Sequence, residues 1–325
     1  MPVAGSAAAV AHGVMFHHFH GGRHPVVQGS ISAAQLERLI RSLDTSCILS
    51  PEEWLAKLDA GRLAASDRCL TFDDALLSQV DIALPVLDAY RLKAFWFVYS
   101  SVFEGAIARF EVYRMFRCRF FPDIDMFYAL FFERVTAAFA IDARAAVPDG
   151  DVDRVRNAYP FYSANDVRFR VLRDRLLTNG QYDAVLDGLI ADRGLTLAEL
   201  AAGLWMSADH LRSLSAAGHI VGLHSYSHPM RLGDLPDDEQ RSEYEANFRH
   251  LTQICGRPPI TVAHPANSYS DRTIEILTDL GVRCGFRANM APRLPGHPLN
   301  ASALELARED HANLMRRLEA QRDTG

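Results

Sequence analysis

The sequence has few cysteines and no long apolar run. Only five of its 325 residues are cysteine, at positions 47, 69, 118, 255 and 284, and no Cys-x-x-Cys arrangement occurs. An odd number of scattered cysteines argues against a disulfide framework and favours reduced thiols in a reducing compartment. Because no stretch of about 20 apolar residues is present, the sequence predicts no membrane-spanning helix.

Basic residues are outnumbered by acidic ones. Lys plus Arg number 34 against 40 Asp plus Glu, a net charge of −6. This balance argues against unaided nucleic-acid binding, which requires cations to neutralise phosphates. The first ten residues lack the basic start and apolar run of a secretory signal. With the cysteine usage, these absences predict a cytoplasmic protein.

Strand and helix patterns alternate at both ends of the chain. Helix starts are marked at Ser32, three residues before Gln35, and at Ser50, which precedes Pro51 and Glu53. Strands are expected at 13–19, 69–72, 94–98, 218–223, 260–263 and 281–286, and helices at 32–42, 50–61, 76–89, 237–255, 271–280 and 310–321. This alternation predicts an α/β fold with a mostly parallel sheet.

The middle of the chain has no strand pattern. We expect 104–206 to be a helical insertion within a single domain that spans 1–325. Its run 110–121 mixes aromatic residues with arginines. We interpret most of these aromatics as the core of a helical subdomain; the alternative is peripheral contact with a membrane surface near a lipid-linked glycan.

Two adjacent carboxylates, Asp73 and Asp74, follow a predicted strand. Side chains of neighbouring residues at a strand end point in different directions, so one carboxylate can bind a metal while the other accepts a proton. The alternative is a solvated acidic turn, because acidic residues are favoured where helices begin.

A pair of histidines, His224 and His228, has the H-x-x-x-H spacing that can bring two imidazoles onto one metal. The spacing alone is weak evidence, since His20 and His24 share it and are interpreted as a loop feature. His224, however, follows an apolar strand, and α/β proteins place their sites at the carboxyl ends of strands. Asp74 and the two histidines would make the three protein ligands of a catalytic zinc ion, although this set also suits other divalent ions such as cobalt.

These motifs resemble those of the polysaccharide deacetylase family (NodB homology domain, carbohydrate esterase family 4). The segment 71–75, Thr-Phe-Asp-Asp-Ala, resembles the first motif of the family, and 224–228 resembles the second. The lead-in 207–223 is similar to the helix and strand before that second motif, and Phe16-His17 resembles the Tyr-His on the first strand. The segment 263–269 looks like a variant of the third motif, Arg-x-Pro-x-Gly. The resemblance implies a deformed (β/α) barrel of about seven parallel strands.

The resemblance also assigns roles. Asp73 matches the general base, and Asp74, His224 and His228 match the metal ligands. The backbone N–H of His264 matches an oxyanion donor. Four further residues are expected to contact substrate: His17, Pro265, Tyr269 and Arg308.

The chain departs from the family pattern in its third motif and its general acid. Ala263 stands where the family has the arginine that orients the base, and Asn267 stands for the glycine. The segment 304–311 resembles the Pro-Arg-x-Asp ending of some members, from which Arg308 and Asp310 would approach the base. His311 is the candidate acid.

Two further histidines, His17 and His18, are rival candidates for the acid. They lie on opposite faces of a strand, so only one of them can face the site.

The function expected from these motifs is metal-dependent hydrolysis of an N-acetyl group on an amino sugar in a glycan or glycan precursor, free, nucleotide-linked or lipid-linked. Two alternatives stay open. One is a deformylase or other small-amide hydrolase on the same site, and the other is a non-catalytic glycan-binding relative. Intact acidic and histidine motifs count against the non-catalytic alternative, whereas the missing arginine counts weakly for it. The sequence does not fix the oligomeric state.

Overall fold

Seven parallel strands form the centre of the computed structural model, which describes residues 10–158 and 163–323. Strands β1 to β7 are His12–Phe16, Arg68–Asp73, Phe95–Val98, Ile220–Leu223, Thr261–Ala263, Cys284–Phe286 and Arg308–Asp310. They lie in the order β6-β5-β4-β3-β2-β1-β7, and each neighbouring pair is parallel.

The chain just before β7 closes the sheet. Leu306 pairs with Phe286 at the end of β6, and its N–H donates to the carbonyl of Gly285 at 2.9 Å. The two edge strands are thereby joined, and the sheet becomes a nearly closed barrel. The predicted deformed (β/α) barrel is confirmed.

Helices surround the strands and fill the middle of the chain. In the described residues, α1 to α14 are Ala33–Ser42, Pro51–Asp59, Leu84–Ala89, Arg109–Phe120, Ile124–Phe139, Ala143–Ala146, Asp149–Ala158, Ala164–Val171, Asn179–Ala191, Leu197–Ala201, Ala208–Ala216, Asp237–Cys255, Asp271–Asp279 and His311–Asp323. The predicted starts of α1 and α2 are confirmed, because Ser32 and Ser50 each form a reciprocal capping box. None of these helices is both long and apolar enough to cross a bilayer.

Strand alternation separates two buried sets of side chains. One set fills the barrel interior, where Phe97 of β3 lies 5.6 Å, ring centre to ring centre, from Phe286 of β6 on the far side. The other set points outward and packs with residues of α1, α11 and α12. At Gly222 of β4 an added Cβ would lie 2.8 Å from the ring of Phe97, so the interior admits only glycine there. Positions 69, 71 and 73 of β2, and 220, 222 and 224 around β4, share the inward direction.

A second compact unit comprises 25–28 and 107–202. Its described residues contain helices and no strand, as the sequence predicts for this region. Phe116 and Phe127 are fully buried, and both rings contact Phe121. The interpretation of these aromatics as core is therefore favoured. The division into one catalytic domain with an insertion at 104–206 stays a prediction.

The structure differs from the sequence expectation at one strand and one helix. Strand β7 was not predicted, because its buried Arg308 gives no hydrophobic signal. The helix expected over 76–89 is instead interrupted: a π-helical segment, Gln79–Ala83, precedes α3. Pro85 lacks an N–H and cannot donate to the residue four positions earlier, which accounts for a departure from regular α-helix there.

Candidate active site

The predicted motifs meet at the carboxyl ends of the strands. Asp73 is the last residue of β2 and Asp74 follows it, while His224 comes directly after β4 and His17 directly after β1. Parallel strands end at the same rim of a barrel, and this is where α/β proteins assemble their sites. The inward direction of 73 and 224 turns both side chains toward the barrel axis.

The loops at this rim are conformationally strained. Of nine non-glycine residues with positive φ in the described chain, six follow β2, β4 or β5: Asp74, Ala75, Ser225, His228, Ala266 and Asn267. Such backbone costs on the order of 1–3 kcal/mol per residue and persists where the surroundings enforce it. Its concentration at one rim marks this rim as the functional end of the barrel.

Asp74, His224 and His228 form the candidate metal centre, and all three are buried. The Nε2 atoms of His224 and His228 lie 3.4 and 3.5 Å from Oδ1 of Asp74. That oxygen is buried and accepts no hydrogen bond from the described residues. Four ligands about 2.1 Å from a tetrahedral zinc ion would be about 3.4 Å apart. The spacing and the orphaned oxygen therefore fit a divalent cation.

Hydrogen bonds and nearby charges determine which nitrogen of His224 can bind a metal and shift the pKa values of His224 and Asp74. His224 donates its Nδ1–H to the carbonyl of Ala263 at 2.8 Å, which leaves Nε2 as the ligating nitrogen. Burial alone would lower the pKa of His224, but the carboxylates of Asp73 and Asp74 outweigh it and raise that pKa. Burial would likewise raise the pKa of Asp74, yet the neighbouring histidines hold it well below its usual range. Asp74 is therefore ionised at neutral pH.

Asp73 forms a buried, bidentate ion pair with Arg308 of β7. The two guanidinium nitrogens lie 2.6 and 2.7 Å from the two carboxylate oxygens, and both side chains are almost completely buried. Burial would raise the pKa of Asp73, but the Arg308 charge outweighs it and the pKa is lowered. Arg308 thus occupies the role left empty by Ala263, and its fork is directed at the base.

His17 reaches the carboxylates from the neighbouring strand. Its Nε2 lies 3.7 Å from Asp73 and 4.0 Å from Asp74, and its side chain retains 28% exposure. Burial lowers the pKa of His17, despite the raising effect of both carboxylates. Of the two rivals, His17 therefore lies at the site, beside both carboxylates.

The backbone N–H of His264, the predicted oxyanion donor, is already paired in the structure. The N–H of His264 donates to the carbonyl of Phe286 at 3.0 Å and is not available to an oxyanion. The N–H groups of Asn267 and Ser268 are engaged within the same loop, and Pro265 has none. Among the N–H groups of the described residues 264–268, that of Ala266 is therefore the one without an acceptor.

Tyr269 and Pro265, which are both predicted to contact substrate, lie in this loop. The ring of Tyr269 stacks on that of His264 at 4.1 Å, and its hydroxyl donates to Glu305 at 3.0 Å. Pro265 is buried at the start of the loop. Their predicted contact with substrate stays a prediction.

His311, the candidate acid, lies at the start of α14. Its two ring nitrogens are within hydrogen-bond distance of the carbonyls of Met15 and Gly29, at 3.1 and 2.9 Å. Its ring stacks on Phe16, which points outward from the barrel. These contacts place the ring among backbone carbonyls rather than beside Asp73.

The second H-x-x-x-H pair does not converge. His24 lies 2.7 Å from the carboxylate of Asp81, whereas His20 lies 2.8 Å from the hydroxyl of Ser30. The two histidines thus take different partners, and the sequence interpretation of this pair as a loop feature is favoured.

Sequence reasoning missed three supporting residues. Gln79 donates to the carbonyls of His17 and Asp73 at 2.8 and 2.6 Å. Asn247 and Glu243, both on α12, bind the loop that carries the histidines. A signal existed for Asn247: it lies with Tyr244 and Leu251 on the buried stripe of α12, where a polar residue is unusual.

Comparisons with known proteins agree with the motifs and the fold. The polysaccharide deacetylase family model matches residues 183–285. None of the curated proteins matches the chain significantly. Among solved structures, a Streptococcus pyogenes deacetylase, PplD, in complex with acetate is 15% identical, with a TM-score of 0.54 over 94% of this chain and 93% of that one. IcaB from Ammonifex degensii is 14% identical, with a TM-score of 0.54 over 96% of each chain.

The solved structures and the family model support different conclusions. At such low identity the solved structures support the fold, and the family model covers the segment that contains His224 and His228. The first motif, with Asp73 and Asp74, lies outside the matched segment and is brought to the same rim by the barrel. Motifs, barrel and family model agree, and the predicted resemblance to the polysaccharide deacetylase family is confirmed.

Proposed function

We propose that this protein is a metal-dependent N-deacetylase that hydrolyses the N-acetyl group of an amino sugar in a glycan or glycan precursor. The observation that carries the proposal is the placement of an Arg308-bound carboxylate, Asp73, beside a buried Asp74–His224–His228 cluster. Amide hydrolysis needs a proton acceptor, a Lewis acid and a proton donor; Asp73 would supply the first, the cluster would hold the second, and His17 beside them would supply the third.

The metal would be held by Asp74, His224 and His228. A divalent ion at this position, zinc by preference and cobalt as a substitute, would acidify water and polarise the substrate carbonyl. Three protein ligands leave a coordination position open, as catalytic sites require. The buried orphan oxygen of Asp74 supports this assignment.

Asp73 would accept the proton of the attacking water. Its lowered pKa keeps it ionised at neutral pH, and the fork of Arg308 fixes the plane of its carboxylate. A base fixed in this way pays little orientational entropy during the reaction.

His17 would take up that proton from Asp73 and donate it to the departing nitrogen. Its Nε2 lies 3.7 Å from Asp73, and its side chain is partly exposed, so substrate can reach it. We infer this role for His17 instead of His311, whose ring nitrogens both face backbone carbonyls. The N–H of Ala266 would donate to the oxyanion, where loss of one donor typically costs about 10²–10³ in rate.

The proposal is tested by acetate release from a panel of N-acetylated amino sugars, free, nucleotide-linked and lipid-linked. The protein is stripped with a chelator and reloaded with zinc or cobalt. Metal-dependent acetate release that Asp73→Asn abolishes is the expected result. Formate release from N-formyl substrates alone would favour the deformylase alternative, and tight glycan binding without release would favour the non-catalytic one.

A further inference from the structure

The loop that carries the two histidines lies outside regular secondary structure. It connects His224 to His228, and two of its residues, Ser225 and His228, have a left-handed backbone with φ of 59°. For residues other than glycine such a backbone is unfavourable. Contacts from elsewhere must therefore keep the two imidazoles in place, their ring centres 4.9 Å apart.

One face of α12 supplies several of these contacts, in addition to the N–H groups of Ser100 and Ser101 that donate to the carbonyl of Tyr226. Oε2 of Glu243 accepts the backbone N–H groups of Tyr226 and Ser227 at 2.9 and 2.8 Å, and Oε1 accepts the hydroxyl of Ser227 at 2.6 Å. One helical turn later, the side-chain oxygen of Asn247 accepts the N–H of His224 at 3.0 Å. Residues four apart share a helix face, so the two side chains bind the same loop.

Asn247 also ties the loop to the neighbouring strand. Its amide nitrogen donates to the carbonyl of Val98 at 3.0 Å and to the hydroxyl of Ser100 at 2.8 Å. Asn247 is fully buried, so it is a fixed support within the core. Glu243 is only partly buried and binds the middle of the loop, between the two ligands.

We propose that Glu243 is a positioning residue that holds His224 and His228 in ligating geometry; this inference rests on the proposed metal site. The hydrogen bonds of Glu243 described above go to Tyr226 and Ser227, and it acts through the backbone of these two residues between the histidines. Partners outside the ligand set typically change metal affinity by about 10- to 100-fold. The carboxylate satisfies two adjacent N–H groups that would otherwise turn toward water and let the loop relax.

The chain offers a matched control. Glu245 lies on the same helix, two residues along, and pairs with Arg241 and Arg249 rather than with the loop. Glu245→Ala makes the same change of size and charge as Glu243→Ala. Glu243→Gln keeps a carbonyl oxygen for the N–H groups of Tyr226 and Ser227, removes the charge, and replaces the oxygen that accepts the Ser227 hydroxyl with an NH2 group.

The test is zinc affinity of the stripped full-length protein, measured by competition with a chromophoric chelator, together with the visible spectrum of the cobalt-loaded protein. We expect Glu243→Ala to bind zinc about 10- to 100-fold more weakly than wild type, with an altered cobalt spectrum. Glu243→Gln should recover most of this loss, and Glu245→Ala should match wild type. The thermal midpoint of the metal-free variants shows whether each is folded.

Two results overturn the inference. One is zinc affinity of Glu243→Ala within threefold of wild type, and the other is an equal loss for Glu245→Ala. Failure of the wild type to bind either metal would refute the metal site and this inference together. A wild type that binds metal but releases no acetate would refute only the proposed activity, since the affinity comparison still decides the role of Glu243.

Discussion

The two sides of the site are held by different kinds of contact. On the carboxylate side, Asp73 belongs to β2 and is bound by Arg308 of the barrel interior through a buried, bidentate ion pair. On the histidine side, His224 and His228 lie on a strained loop outside the sheet, fastened by hydrogen bonds from α12. One side is part of the barrel, whereas the other is attached to it.

This difference separates two properties of the protein. Contacts of Asp73 set the position and charge of the proton acceptor, so changes there should affect turnover or stability and leave metal affinity intact. Contacts of the histidine loop set the ligand geometry, so changes there should affect metal affinity first. If the two sides are independent, a change on one side should alter its own property and leave the other unchanged.

The largest effect is expected from Asp73→Asn. Loss of a general base typically costs about 10²–10⁴ in rate, so acetate release should fall by that factor. Zinc affinity, measured on the same preparation, should stay within a few-fold of wild type because Asp73 is not a proposed ligand. Asp88→Asn, at a largely exposed carboxylate, is the control. A parallel loss of zinc affinity would show that the two sides are coupled.

Arg308→Ala should be the most destabilising change on the carboxylate side. It leaves Asp73 as a buried, unpaired charge, which typically costs about 3–5 kcal/mol in the free energy of unfolding. Arg317→Ala removes an exposed guanidinium from Glu309 and should cost less than about 1 kcal/mol. Chemical denaturation of both variants measures the contrast. Equal, small losses would mean that the barrel holds Asp73 without its ion pair.

Gln79→Leu should have a smaller effect on the same side. The side-chain amide donates to the buried carbonyl of Asp73 and the partly buried carbonyl of His17, and removing it leaves both acceptors without that donor, at a cost of about 1–3 kcal/mol. Turnover should fall because His17 and Asp73 lose their common support. The zinc affinity of Gln79→Leu should be unchanged. A loss of zinc affinity as large as that expected for Glu243→Ala would contradict the independence of the two sides.

The sequence predicted the two sides unequally. Asp73, Asp74, His224 and His228 were found because each motif is contiguous and directly follows a strand pattern. The ion pair of Asp73 depends on β7, a three-residue strand whose inward residue is charged, so periodicity gives no sign of it. The supports of the histidine loop lie on a helix that begins nine residues after His228, and their role becomes visible only when that helix packs against the loop.

The two histidines that flank β4 have opposite pKa shifts. His224 at its carboxyl end has a raised pKa, whereas burial, with a further contribution from Lys93, lowers the pKa of His219 before its amino end to about 4. His219 accepts the N–H of Ala94 through Nδ1 and has no carboxylate bound to it among the described residues. The same residue type thus serves stability at one end of the strand and the proposed chemistry at the other.

His219 should therefore make stability depend on pH without affecting the site. Its pKa is about 4 in the folded protein and about 6.5 when unfolded, so the unfolded state binds more protons between these values. The contribution of neutral His219 to the free energy of unfolding should be fully present above pH 6.5. It should fall as the pH decreases, by about 1 kcal/mol between pH 7 and 5.5. His219→Asn keeps an acceptor for the N–H of Ala94 but does not titrate. The difference in unfolding free energy between this variant and wild type should therefore become smaller by about 1 kcal/mol as the pH falls from 7 to 5.5. A constant difference across that range would show that burial does not keep His219 neutral, and a changed zinc affinity would show that the two ends of the strand are linked.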